Sequence, residues 1–177
     1  LGLKYPGGPE ISKIAAKGNS ERCNLPRPMI NAKNFDFSFS GLKTAVLYLV
    51  KGFPTKGNPS VPKGYPLWLT PKNKADLAAS FEQAVVDVLI AKTLRAAKEY
   101  KPKTIILGGG VAANQKLRSE LEWNLTSKLT NCKLILSPIT LTGDNALMIA
   151  LAALAEYKLL KPIKSADLKA EPNLRLD

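Results

Sequence analysis

The sequence predicts an α/β fold, and three features of its second half predict it. From residue 104 onward strand and helix patterns alternate. The two strands expected there, residues 104–107 and 133–136, are short continuous apolar runs rather than alternating ones. A run of three glycines, Gly108-Gly109-Gly110, closes the first strand directly ahead of a helix. Alternation of this kind is the pattern of a parallel sheet with crossover helices, and uninterrupted apolar strands are the pattern of a sheet buried on both faces. In such sheets ligands bind beyond the carboxyl ends of the strands. The glycine turn and Asp144 both fall at such ends.

The first part of the chain is irregular, broken by Pro6, Pro9, Pro26, Pro28, Pro54, Pro59, Pro62, Pro66 and Pro71. Residues 11–17 fit a short helix stopped at Gly18, a suitable C-terminal glycine. Residues 34–40 alternate with period two, which predicts a strand with Phe35, Phe37 and Phe39 on one face. The pattern turns helical at residues 42–50. Residues 51–74, rich in Pro, Gly and Lys, read as a long basic surface loop carrying Tyr65 and Trp68. Loops of that length tend to be functional or mobile; a nucleic-acid contact is open there, beside the plainer reading of a solvated loop with one aromatic turned inward.

Residues 75–100 read as one long helix, because Leu77, Phe81, Val85, Val88 and Leu89 recur at three- and four-residue spacing and the alanines allow close packing. After the strand at 104–107 come a helix over about 111–128, the strand at 133–136, and a last helix over about 144–160.

Composition bounds the function. The 177 residues amount to about one domain, and the opening Leu1-Gly2-Leu3, without Met, reads as cut from something larger. Lys and Arg outnumber Asp and Glu by 26 to 14, a formal charge of +12, which favours polyanionic partners and nucleic acid first. Cys23 and Cys132 are far apart and there is no histidine. The usual Cys/His zinc site, a His-based catalytic triad and an HExxH peptidase motif are therefore excluded within this chain. No apolar run has the length of a membrane span and the N-terminus lacks the layout of a signal peptide, so a reducing, cytoplasmic setting with no membrane partner is expected.

Three short stretches are candidates for chemistry. In Gly108-Gly109-Gly110-Val111-Ala112-Ala113-Asn114, unpaired backbone N–H groups and the helix dipole can hold a phosphate or a nucleotide edge. The stretch is neither the GxGxxG of a dinucleotide fold nor a P-loop with its Lys, and a plain tight turn is the alternative. Asn114, expected about one turn into the helix, could face solvent. Asp144, at the mouth of the apolar run Ala146-Leu147-Met148-Ile149-Ala150, can cap that helix or bind a cation, although one carboxylate does not make a metal site. Tyr5-Pro6-Gly7-Gly8-Pro9 is either an ordinary turn or a bare backbone against which a flat ligand can lie.

Taken in order, these stretches resemble a known family. Leu1 to Pro9, Phe37-Ser38-Phe39-Ser40-Gly41-Leu42-Lys43-Thr44, Ala79-Ser80-Phe81-Glu82, Gly108 to Asn114 with Leu117-Arg118, and Asp144-Asn145-Ala146 with Met148-Ile149-Ala150 resemble the second half of the TsaD enzymes of tRNA threonylcarbamoyladenosine synthesis, formerly called glycoproteases. The resemblance runs over nearly the whole chain. It implies an actin-like ATPase fold, of which residues 1–177 would be the C-terminal part of the second domain. It also implies transfer of a threonylcarbamoyl group from threonylcarbamoyl-AMP to the exocyclic amine of the adenosine next to the anticodon of tRNA.

Carried over by motif, Gly8 lies against the adenylate, Gly109 and Gly110 wrap the adenosine, and Asn114 contacts it. Ser12 stands where many members have an aspartate directed at the ribose. Asp144 is one ligand of a divalent ion, iron or zinc. No residue of this chain is carried over as a catalytic one. Implied partners are tRNA, threonylcarbamoyl-AMP or ATP and, in a bacterium, TsaB-like and TsaE-like proteins.

The family's HxxxH metal ligands and phosphate-binding hairpin lie upstream of Leu1, so the N-terminal half is expected as a further partner. Without it the chain is expected to be inactive and to hold no metal. Two other functions stay open, a non-catalytic TsaB-like dimerisation partner and a basic RNA-binding module. An intact glycine turn with Asp144 counts against the first, and the scatter of Lys and Arg along the chain counts against the second.

Overall fold

The computed structural model describes residues 1–51, 70–129, 131–159, 164–167 and 169. The chain divides into two compact units, Leu1–Thr142 and Gly143–Asp177. The first contains α1 (Gly7–Ala15), α2 (Ser40–Val50), α3 (Pro71–Tyr100), β1 (Thr104–Leu107), α4 (Gln115–Lys128) and β2 (Lys133–Leu136); the second contains α5 (Ala146–Glu156). The class is α/β with a small parallel sheet. Among the described residues no helix is long and apolar enough to cross a membrane.

Helix α3 organises the first unit, with α1, α2 and α4 all packed against it. Its start is set by Thr70, whose side chain accepts from the Asn73 N–H at 3.2 Å, and by Pro71 in the first turn, where a missing N–H costs nothing. The basic loop expected over 51–74 therefore ends earlier, because Pro71, Lys72, Asn73 and Lys74 are already helical. The rest of that loop, with Tyr65 and Trp68, lies outside the described residues.

Apolar side chains leave α3 on several sides, as befits a helix surrounded by protein. Leu77 and Ala84 join Cys23, Leu25, Leu42 and Leu49 in one core. Val86, Ile90 and Leu94 join Leu117, Leu121 and Leu125 of α4 in another. Ala78 and Ala79 take Ala15 of α1. The last contact is close enough to require a glycine nearby: a Cβ on Gly18 would stand 2.0 Å from the Ala75 carbonyl oxygen. The helix expected over 11–17 with Gly18 as its stop is α1, which starts at Gly7 and ends at Ala15, and Gly18 serves the approach of two backbones.

The expected strand over 34–40 is absent. That segment is irregular without strand pairing, Ser40 already opens α2, and the three phenylalanines diverge. Phe35 meets Tyr100 at 5.6 Å between ring centroids, Phe37 lies 6.0 Å from the Lys92 ammonium, and Phe39 packs into the core beside α2. Polar side chains of α3 supply the bonds that a sheet would have supplied. Asp76 accepts from the Asn19 N–H at 2.8 Å, and Ser80 Oγ accepts from the Cys23 N–H at 3.1 Å. Arg27 pairs with Asp87 at 2.8 Å. The buried Lys92 donates to the Asn34 carbonyl at 2.9 Å, and Arg95 donates to the carbonyls of Ile30 and Ala32. Backbone groups must find partners when buried, but these need not belong to another strand.

Burial pushes the Cys23 thiol above its ordinary value; a hydrogen bond with Ser80 works against this and the Asp76 carboxylate adds to it. Little thiolate is then present at neutral pH, so Cys23 should react slowly with an aromatic disulfide reagent while the partly exposed Cys132 reacts first. Two thiols titrating at one common rate in the native protein would contradict this placement.

Strands β1 and β2 pair in parallel, Thr104 opposite Lys133 through Leu107 opposite Leu136, with the bounds the sequence predicted. Ile105, Leu107 and Leu134 pack onto the core formed by α3 and α4. The other face is open in this unit: Ile106 is 70% and Ile135 41% exposed. The expectation of a sheet buried on both faces is thereby corrected for the described residues. A continuous apolar strand reports what both faces can pack against, not what this unit supplies.

Between β1 and α4 the glycine run becomes a 3₁₀ turn, Gly110–Ala113, and α4 proper begins at Gln115. In the second unit α5 starts at Ala146, capped by Asn145, whose side chain accepts from the Met148 N–H at 2.9 Å. Capping by Asp144 is therefore corrected: an Asx cap needs its oxygen two or three residues ahead of the N–H it satisfies, and Asn145 already occupies that place.

Candidate functional site

Three elements of the first unit bring polar groups together in one cleft. It is lined by Gly8, Ile11 and Ser12 of α1, Phe81, Glu82, Val85, Val86 and Leu89 of α3, and Val111, Asn114 and Leu117 around the start of α4. Its volume is about 100 Å³. Most of the lining is apolar, and the polar groups converge at one place.

Asn114 is the pivot of that convergence. It is the N-cap of α4, its Oδ1 accepting from the Leu117 N–H at 2.8 Å. The expectation that it lies one turn into the helix is corrected, and with it the option of a solvent-facing side chain. Capping fixes the carboxamide, so Nδ2 is aimed away from the helix. It donates to Glu82 Oε1 at 2.7 Å and to Ser12 Oγ at 3.1 Å. Ser12 in turn donates to Glu82 Oε1 at 2.6 Å. The three side chains thus form a closed ring of hydrogen bonds linking α1, α3 and the end of the glycine turn.

Gly8 lies in the first turn of α1, which starts at Gly7 rather than at residue 11. Its N–H belongs to the groups that a helix leaves without an internal partner, and no atom lies within 4 Å of where its Cβ would be. Of the stretch 5–9, read from the sequence as either a turn or a bare backbone, Gly7, Gly8 and Pro9 form the helical start, and the backbone at Gly8 is uncovered.

Gly109 adopts φ 86° and ψ 171°, a conformation essentially confined to glycine. Its carbonyl accepts from the Ala112 N–H at 2.9 Å, which starts the 3₁₀ turn at Gly110. Arg118 fastens this turn, donating to the Ala112 carbonyl and to the Ser137 carbonyl beyond β2, both at 2.6 Å. Ser137 Oγ donates to the Leu107 carbonyl at 3.1 Å. The ends of both strands and the glycine turn are therefore one fastened loop cluster, at the edge where ligands of parallel sheets bind.

The structure brings Gly8, Ser12 and Asn114 to one cleft and places Gly109 and Gly110 in the turn that leads into it. Asp144 stands in the second unit and is exposed. Among the described residues no three His, Cys, Asp or Glu side chains come together. The described residues thus do not fit a metal by themselves; among them Asp144 offers one carboxylate and no cage.

Glu82 was given no role by the sequence, although it stands in the Ala79-Ser80-Phe81-Glu82 stretch. A signal was available. Its helical neighbours three and four residues away are Ala78, Ala79, Val85 and Val86, so this carboxylate has no local cation and apolar company on both sides.

The chain matches the family TsaD, tRNA N6-adenosine threonylcarbamoyltransferase, over residues 1–151, and it belongs to that family. Curated relatives called tRNA N6-adenosine threonylcarbamoyltransferase include one from Thermosipho africanus, 46% identical over 178 residues, which are 99% of this chain and 48% of the relative. One from Lactococcus lactis subsp. cremoris is 45% identical over 98% of this chain and 48% of its own length. Another, from Listeria welshimeri, is 42% identical over 100% of this chain and 47% of its own length. The chain spans about half the length of the curated relatives it matches.

Proposed function

We propose that this chain is one half of a tRNA N6-adenosine threonylcarbamoyltransferase, the half that holds the adenosine end of an adenylate while its threonylcarbamoyl group passes to tRNA. The observation that carries this reading is the convergence of Gly8 and Ser12 of α1 with the distant Asn114 on one cleft of a chain of this family.

The physical roles follow from the geometry. Apolar walls from Ile11, Phe81, Val85 and Val111 suit a flat base or sugar face. Backbone N–H groups at the start of α1 and in the glycine turn carry partial positive charge and suit the phosphate side. Arg118 and Ser137 hold the turn in shape before any ligand arrives, so binding need not order it. The reading includes an actin-like arrangement, in which the other half of the enzyme closes the cleft and supplies the remaining machinery. Asp144 would give one carboxylate to a divalent ion, iron or zinc, whose chemistry is that of a Lewis acid. The basic charge of the chain suits tRNA, and TsaB-like and TsaE-like partners belong to the same reading.

Asn114→Ser tests it. Serine caps a helix about as well as asparagine, but it lacks the amide that donates to Ser12 and Glu82. Stability should change by less than about 1 kcal/mol, whereas ATP affinity and threonylcarbamoyl transfer by the whole enzyme should each fall about tenfold or more. Unchanged ATP affinity and transfer would refute the assignment.

A further inference from the structure

We propose that a lysine-lined groove, at the end of the first unit opposite the cleft, holds the phosphate backbone of the tRNA body, away from the reacting adenosine. This rests on the reading of the chain as half of a tRNA-modifying enzyme and goes beyond it by naming where the rest of the RNA is held.

The groove lies where α3 and α4 end and β1 and β2 begin. Lys98 and Lys101 line it from the end of α3, Lys128 from the end of α4, and Asn131 and Cys132 from the turn before β2. Its volume is about 360 Å³. Lys103 and Lys133 stand at the starts of the two strands, where the Lys133 N–H donates to the Lys103 carbonyl at 2.9 Å. All five lysines are exposed. Charges that looked scattered along the sequence are thus gathered from two stretches, 98–103 and 128–133, which hold five lysines and one acidic residue, Glu99. Among the described residues none of the five has an ion-pair partner.

Part of this charge has a local reason. Lys98 and Lys128 stand in the last turns of their helices, where a cation meets the negative helix end. Lys103 and Lys133 have no such role. Lys101 follows α3 at φ 48°, a left-handed conformation that suits glycine or asparagine better, so a lysine there brings charge against local backbone preference. Like charges without a counter-charge of the protein's own repel one another, and a polyanion relieves that repulsion. Among the described lining residues there is no arginine fork and no helix start of the kind that grips a single small anion. Flexible, hydrated ammonium groups suit a phosphate chain instead, which positions an RNA without reading its bases. By the rise of a helix Lys98 lies about 24 Å along α3 from Glu82, so RNA in the groove leaves the cleft free.

Two measurements on the whole enzyme test this. Cys132 lines the groove and is the partly exposed thiol of the chain. A photoactivated crosslinker attached there should join to tRNA, and the crosslink should be absent in Cys132→Ser. In the second, Lys98→Gln, Lys101→Asn and Lys128→Gln are combined and compared with Lys17→Gln, Lys51→Gln and Lys72→Gln, exposed positions outside the groove that remove the same charge. The groove triple should lower the slope of log affinity for tRNA against log salt by about 2 to 3 and weaken binding at moderate salt about tenfold or more. Its ATP affinity should stay that of the wild type. The control triple should change the slope by less than about 1. Equal slopes for the two triples, or the lack of a crosslink that depends on Cys132, overturn the proposal and leave the adenosine cleft standing; the crosslink decides even if the groove triple fails to fold. Polyglutamate that abolishes the crosslink as readily as unlabelled tRNA does, at equal charge, would assign the groove to an acidic polypeptide and overturns it too. An enzyme that binds no tRNA removes both the proposal and the reading beneath it.

Discussion

Gly18→Ala should destabilise the protein by about 3 kcal/mol or more, read as a shift of the denaturant midpoint at unchanged slope. The new methyl would stand 2.0 Å from the Ala75 carbonyl oxygen, 2.3 Å from the Ala75 carbonyl carbon and 2.7 Å from the Asp76 N. All three are backbone atoms inside α3, so no rotamer change can relieve the overlap. The segment after α1 must move off the helix instead. That movement also strains the Asn19 N–H to Asp76 bond of 2.8 Å and the Cys23 N–H to Ser80 bond of 3.1 Å, and it opens the alanine contact of Ala15 with Ala78 and Ala79. Overpacking at a backbone crossing belongs to the short list of changes with exceptional cost. A midpoint that moves by less than about 1 kcal/mol would show that the two backbones are not in contact.

Gly109→Val should act on the ligand more than on the fold. A Cβ at this position meets nothing within 4 Å, so the objection to a side chain is not steric crowding but the backbone angles, φ 86° and ψ 171°. Holding a β-branched residue there costs on the order of 1–3 kcal/mol, and the turn will relax rather than bear all of it. The Arg118 bonds to Ala112 and Ser137 then keep the ends of the turn in place, so the unit stays folded while its N–H groups rotate away. We expect a stability loss within that range and adenosine affinity reduced by at least about tenfold. Full affinity together with unchanged stability would place the glycine turn outside the site.

Where the sequence was legible, a strong period was in force. The helix later found as α3 announced itself through Leu77, Phe81 and Val85, and the two strands through four-residue apolar runs at their observed bounds. The failed strand over 34–40 shows the limit of that signal. Alternation of phenylalanines is necessary for a half-buried strand but says nothing about a pairing partner, and here Lys92 and Arg95 had already engaged the neighbouring carbonyls. Such bonds join positions some sixty residues apart and leave no local trace. The site was half visible for a similar reason. Ser12 and Asn114 could be singled out one by one, whereas Glu82 acquires meaning only when α1 and the start of α4 are laid against α3.

Helix α3 carries two sets of side chains whose usefulness depends on angular phase. Asp76, Ser80 and Asp87 hold the irregular segment on one side, and by a turn of about 100° per residue Glu82, Val85 and Leu89 fall on the opposite side, facing the cleft. The helix thus behaves like a camshaft, with its lobes timed against each other. Point substitutions alter one lobe and leave the rest. A single inserted or deleted residue between Asp76 and Arg95 mistimes every lobe beyond it, so evolution can vary this helix in composition far more freely than in length.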